Sequence, residues 1–130
     1  MAWKNFPEKK GGNKYHNEKI FFDGQRFDSK KECNRWHELR ILQRAGEISE
    51  LRRQVEFVLI PFQKVRNPIT GQWVTERDVK YIADFVYTDT RTNLTVVEDV
   101  KGYRDGGAYR VFVIKRKLML QRFGIQIKEV

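Results

Sequence analysis

Asp84 lies in Tyr81-Ile82-Ala83-Asp84-Phe85-Val86-Tyr87, and fifteen positions later Asp99 opens the triplet Asp99-Val100-Lys101. Both acids sit in runs of β-branched and aromatic residues that read as buried strands, where a bare charge is costly. A divalent cation taking oxygen ligands from both acids would relieve that cost and leave Lys101 to face an anionic substrate. Strand alternation puts Asp99 on one face with Lys101 and Val97, and Glu98 on the other with Val96 and Val100. Glu98 is therefore expected to pair with a basic neighbour, and becomes a metal ligand only if a bulge re-aims it.

A third acid comes from a helix. At about 100° per residue Glu32 falls in line with Trp36 and Leu39, with Cys33 and Leu42 flanking, on the stripe that must face a sheet. Ser29-Lys30-Lys31-Glu32 is also a capping box, in which the glutamate bonds back to the Ser29 amide. A cap is satisfied with Glu32 turned outward, whereas the wheel turns it inward toward the other acids. Gln54, in Arg52-Arg53-Gln54-Val55, either reaches the same cleft or sits exposed on an edge strand. Neither His16 nor His37 has a partner at ligand spacing, and both are expected at the surface. No serine or cysteine nucleophile stands beside a base.

The elements that must hold these groups can be read from pattern and punctuation. Residues 1–19 form a basic arm with little to bury, expected to be flexible, and residues 20–130 a single domain. Ile20-Phe21-Phe22 and Gln25-Arg26-Phe27 flank Asp23-Gly24, a pair suited to a tight hairpin. Ser29 caps a helix that runs to Ala45 and stops at Gly46. Leu51 to Phe62 reads as a strand. Trp73 to Tyr87 follows as an extended stretch, bent or bulged near Glu76 to Asp78, and Leu94 to Lys101 pairs with it, giving a three-stranded antiparallel meander. A loop from Gly102 to Gly107 leads to a helix over Tyr109 to Phe123, stopped by Gly124, and Ile125 to Val130 alternates as a last strand. The expected class is α/β (α+β): one mixed sheet in the order helix, strand, strand, strand, helix, strand, behind an N-terminal β-hairpin.

The chain of 130 residues carries a formal charge of +9, and the excess is not evenly spread. Residues 1–19 hold five Lys/Arg against two acids and residues 104–130 hold seven against two, so the acid-bearing middle is close to neutral. Basic ends around an acidic centre suit a phosphodiester substrate, although a solvated basic surface has the same composition. The single cysteine, Cys33, rules out a disulfide framework or a zinc site of paired thiolates. With no signal peptide or apolar span, the protein is expected to be soluble and cytoplasmic, in the host cell if phage-encoded.

Taken together, Asp84, Asp99-Val100-Lys101 and Glu32 on the preceding helix resemble the PD-(D/E)XK nuclease superfamily, whose restriction-endonuclease-like core is a helix, three strands, a helix and a strand. From Phe27 to Val130 the chain also resembles a small bacteriophage family of uncharacterised nuclease-like proteins. Phe27-Asp28-Ser29-Lys30-Lys31-Glu32, Tyr81-Ile82-Ala83-Asp84-Phe85 and Val97-Glu98-Asp99-Val100-Lys101-Gly102 carry that match. Ala83 stands where the motif has its proline. The resemblance implies Mg²⁺-dependent hydrolysis of DNA phosphodiester bonds, with Mn²⁺ as a substitute and no small-molecule cofactor. Asp84 and Asp99 would be metal ligands, Lys101 the lysine that positions the attacking water, and Glu32 the helix acid, itself a further candidate ligand. Arg104, Arg110, Lys115, Arg116, Lys117 and Arg122 would grip flanking phosphates, with Lys115 nearest the cleft. The implied substrate is double-stranded or branched DNA, such as a Holliday junction in phage recombination, and junction resolution would need a homodimer to nick two symmetric strands. A sequence-specific or nicking endonuclease, or a non-catalytic DNA-binding protein whose acids are structural pairs, are the alternatives.

Overall fold

The structure, a computed structural model, describes residues 19–130. The expected arm, apart from Lys19, and His16 lie outside the described residues. The order is β1 (Ile20–Phe22), β2 (Gln25–Phe27), α1 (Lys30–Arg44), β3 (Ile48–Ile60), β4 (Gln63–Arg66), β5 (Trp73–Glu76), β6 (Val79–Asp89), β7 (Leu94–Asp99), α2 (Gly106–Phe123) and β8 (Lys128–Glu129). β3, β6, β7 and β8 form one sheet in that spatial order, antiparallel except for the parallel β7–β8 pair. The fold is thus mixed α+β, with a helix on either side of the three-stranded meander and a fourth strand returning parallel.

Local chemistry accounts for most boundaries. Asp23 and Gly24 both take positive φ (52° and 71°), the conformation a two-residue hairpin turn requires, and the hairpin rests on α1 through Phe22 against His37 and Phe27 against Trp36. Ser29 caps α1 by accepting the Glu32 amide at 3.1 Å. Gly124 ends α2 in the left-handed conformation. Three boundaries differ from the expected ones. β3 begins at Ile48, three residues early. α2 starts at Gly106 because Asp105 caps it through the Gly106 amide at 2.7 Å. β8 is only two residues long, because just Lys128 and Glu129 pair with β7. The stretch from Trp73 breaks at Arg77–Asp78, and β5 pairs with β4 in a separate two-stranded ribbon.

Two cores flank the sheet. Leu59, Tyr81, Ala83, Val86, Val97, Phe112, Met119 and Ile127 pack on the α2 side, while Leu39, Ile48, Phe85 and Tyr87 pack on the α1 side with Trp36 and Leu51. Tyr81, Ala83, Phe85 and Tyr87 are alternate residues of one strand and would share a face if the pleat were regular. Instead they divide between the cores, and β3 does the same, with Leu51 on one side and Val55 and Phe57 on the other. The changeover falls between the pairs Arg53↔Phe85 and Val55↔Ala83, which places Gln54 opposite Asp84. Gln54 has φ 51°, a left-handed strand conformation that costs a non-glycine residue about 1 kcal/mol or more. That break in the two-residue period turns the sheet where the acids meet.

Candidate functional site

Asp99 ends β7 with its side chain buried, one oxygen (Oδ1) 2.8 Å from the Lys101 Nζ and the other (Oδ2) accepting the Tyr81 hydroxyl at 2.7 Å. Lys101 is pinned from below by the Phe112 ring, its Nζ 3.4 Å from the ring centroid. Main-chain bonds to Val130 on both sides, Val130 N to Asp99 O at 2.9 Å and Lys101 N to Val130 O at 2.8 Å, fix the triplet against the C-terminal strand. Asp99 and Lys101 thus share the α2 side with Val97, as alternation predicts. Desolvation and the adjacent Asp99 raise the Tyr81 hydroxyl pKa well above the ordinary tyrosine value, so Tyr81 stays a proton donor.

Asp84 lies at the changeover on β6. Its Oδ2 accepts the Val100 amide at 2.7 Å, which ties it to the middle of the Asp99-x-Lys101 triplet, and its Oδ1 faces the Gln54 amide at 3.4 Å. The same Gln54 nitrogen donates to Glu32 Oε1 at 3.1 Å. One side-chain amide therefore spans the helix acid and the strand acid. Burial pushes the Asp84 carboxyl up to about 7, with the charges of Asp99 and Glu32 adding to the rise and the Val100 and Gln54 bonds opposing it.

Glu32 is buried and turned inward while also serving the cap, with its Oε2 accepting the Asp28 amide at 3.1 Å rather than that of Ser29. Its Oε1 meets Gln54 and, at 3.4 Å, Arg53. Among the described residues no three of His, Cys, Asp and Glu stand close enough together to hold an ion. Glu32, expected as the helix acid and a further ligand, stands one side-chain amide away from Asp84. Its oxygens are committed to the cap, Gln54 and Arg53, and it reaches Asp84 through Gln54.

Arg53, which the strand pattern did not single out, supplies a second cation. Its guanidinium lies 3.9 Å from the Phe27 ring centroid and donates to Gln25 at 2.7 Å and to the Arg26 carbonyl at 2.9 Å. Three carboxylates then face Lys101 and Arg53, an excess of one negative charge, and a protonated Asp84 removes it. The signal that could have found Arg53 is a cation between apolar residues in a strand, a place that demands a carboxylate partner.

Glu98 is no part of this cluster. Wholly buried on the α1 side, it takes Arg35 bidentately at 2.7 and 2.8 Å and the Tyr87 hydroxyl. No bulge re-aims it. The basic residues expected to grip DNA are scattered. Arg116, at 3.0 Å, and Arg104, at 3.7 Å, pair with Glu129, which also accepts the Tyr109 hydroxyl. Lys117 is exposed beside Leu120 and Gln126, Arg110 is exposed, and Arg122 lies exposed near the Phe123 ring. Lys115 borders a cavity of about 270 Å³ with Lys80 and with Tyr81 and Phe112, the two rings that touch Asp99 and Lys101. The six cations expected to grip phosphates thus lie on different sides of α2 and the loop before it, because successive residues on a helix point in different directions. A cavity of about 660 Å³ bordered by Arg35, Tyr87, Arg91 and Lys128 includes none of the clustered acids.

The hard oxygen donors Asp84 and Asp99 fit Mg²⁺, which commonly takes one or two carboxylates and completes its shell with water and substrate oxygens. Burial is the main reason the Asp84 carboxyl is held high, with the charges of Asp99 and Glu32 adding to it, and a cation there would favour its ionised form. The fold and site define a small α+β domain with a buried acid–lysine cluster at a turn in its sheet. The chain belongs to the family described as protein of unknown function (DUF1064), which matches residues 12–129. No curated protein and no solved structure matches it. Among the described residues no helix is long and apolar enough to cross a membrane.

Proposed function

We propose that this protein is a Mg²⁺-dependent DNA endonuclease with a restriction-endonuclease-like core. The observation that carries the reading is the convergence of Asp84 on the Asp99-Val100-Lys101 triplet, through the Val100 amide at 2.7 Å, with Glu32 attached through Gln54. Helix, antiparallel meander, helix and parallel strand follow in the order that such a core has. Asp84 and Asp99 would hold the ion, and a bound Mg²⁺ supplies charge neutralisation at the scissile phosphate.

The chain's own residues do the rest. Lys101 has one N–H directed at Asp99, and its remaining donors orient the attacking water and steady a phosphate oxygen. Tyr81 holds Asp99 in one rotamer by its hydroxyl, and Phe112 excludes water beneath the ammonium. Gln54 keeps Asp84 and Glu32 at a fixed separation. Hydrolysis would add water across one P–O bond, leaving a phosphate on one strand end and a hydroxyl on the other.

Purified protein incubated with supercoiled plasmid, linear duplex and synthetic four-way junctions, with Mg²⁺, Mn²⁺ or chelator, tests the reading. Cleavage that needs the metal and disappears in Lys101→Ala supports it, and preference for the junction with paired symmetric nicks identifies a dimeric resolvase. Binding without cleavage under every metal condition would reduce the protein to a DNA-binding module.

A further inference from the structure

Between β3 and β6 the chain runs out into the β4–β5 ribbon, whose strand residues are all exposed and pair only with each other. Its turn is preorganised. Asn67 Oδ1 accepts the amides of Ile69 at 2.8 Å and Thr70 at 3.1 Å, the Asn67 carbonyl accepts the Gly71 amide at 2.9 Å, and Arg66 Nε donates to the Gly71 carbonyl at 3.0 Å. The register sorts the side chains, since Lys64 pairs with Thr75 and Arg66 with Trp73. Directly opposed residues share a face, so Lys64, Arg66, Trp73 and Thr75 lie on one side while Gln63, Val65, Val74 and Glu76 lie on the other. Ile69 at the tip is 92% exposed and Trp73 68%. Neither Lys64 nor Arg66 meets a carboxylate at ion-pair distance among the described residues.

The exposed Trp73 and Ile69 set beside cations that have no carboxylate partner call for an anionic partner with flat apolar groups. A second copy meeting this face across a two-fold axis would bring Lys64 and Arg66 against their own images. Duplex nucleic acid has both the phosphates and the apolar base edges, and its major groove admits a two-stranded ribbon. The ribbon is also continuous with the site, because it grows from the ends of β3 and β6, the strands that carry Gln54 and Asp84. From Asp84 to the turn is at most about 45 Å of strand at ~3.4 Å per residue, on the order of one duplex turn.

We propose that the β4–β5 ribbon is a DNA grip that enters the major groove about one helical turn from the cleaved bond, with Lys64 and Arg66 on phosphates and Trp73 and Ile69 against the groove wall. This rests on the nuclease reading above. The full chain in chelator is titrated with a fluorescent duplex of ~30 base pairs, about three helical turns and long enough to reach from the acids to the ribbon. Lys64→Ala/Arg66→Ala/Trp73→Ala should weaken the long duplex at least tenfold and flatten the salt dependence by about two counterions. With Mg²⁺ the same variant should raise KM on long DNA and leave kcat unchanged. Equal affinity for the long duplex, in a protein that still cuts DNA, overturns the ribbon assignment alone. A loss of affinity that accompanies a dimer becoming monomer in sedimentation would make the ribbon a contact between copies and overturn it too. Wild type that neither binds nor cuts any DNA removes the nuclease reading and this inference with it.

Discussion

Asp84→Asn should stabilise the metal-free protein, and only at neutral to alkaline pH. The native state keeps the Asp84 proton up to about pH 7, whereas the unfolded chain releases it near the ordinary 3.8. Asp84 therefore adds nothing unfavourable at or below pH 4, and its penalty grows as pH rises and is complete above pH 7. Three pK units correspond to roughly 4 kcal/mol. The substitution keeps an oxygen for the Val100 amide but sets an amide NH₂ against that of Gln54, a loss of about 1–2 kcal/mol. A net gain of roughly 2 kcal/mol, or about 5–8 °C in Tm, is expected at pH 8.5, with no gain or a small loss at pH 4. Thermal unfolding in chelator at both values measures it, and added Mg²⁺ should raise the Tm of wild type but not of the variant. Tm differences independent of pH, or wild type indifferent to Mg²⁺, would refute the reasoning.

Glu98→Gln should cost roughly 3–5 kcal/mol by leaving Arg35 and Tyr87 without their buried anion, visible in urea unfolding, yet spare cleavage per folded molecule. Lys101→Met should lower cleavage at least ~100-fold with DNA binding intact, separating a chemical role from a structural one by single-turnover kinetics and anisotropy. At position 54, glycine relieves the left-handed strain that alanine retains, so Gln54→Gly should be more stable than Gln54→Ala by about 1 kcal/mol in urea unfolding, with cleavage depressed in both.

What could be read in the chain was whatever depends on near neighbours. Ser29 and Gly124 mark helix ends and Asp23-Gly24 marks a hairpin through their own torsional preferences. The two-residue period of β7 puts Asp99 with Lys101 and sends Glu98 to the other side, because pleating is local. The inward turn of Glu32 follows likewise from helical spacing. Tertiary structure decided the rest. Gln54 takes a left-handed φ with no glycine to announce it, and the side change this produces in β3 and β6 divides Tyr81 and Ala83 from Phe85 and Tyr87. Only the folded chain shows that Arg53 answers Glu32, that Tyr81 holds Asp99, and that Arg104 and Arg116 are drawn to Glu129. Such pairings join residues far apart in sequence, and a charge finds its partner only once strands and helices have packed, because burial is what makes an unpaired charge intolerable.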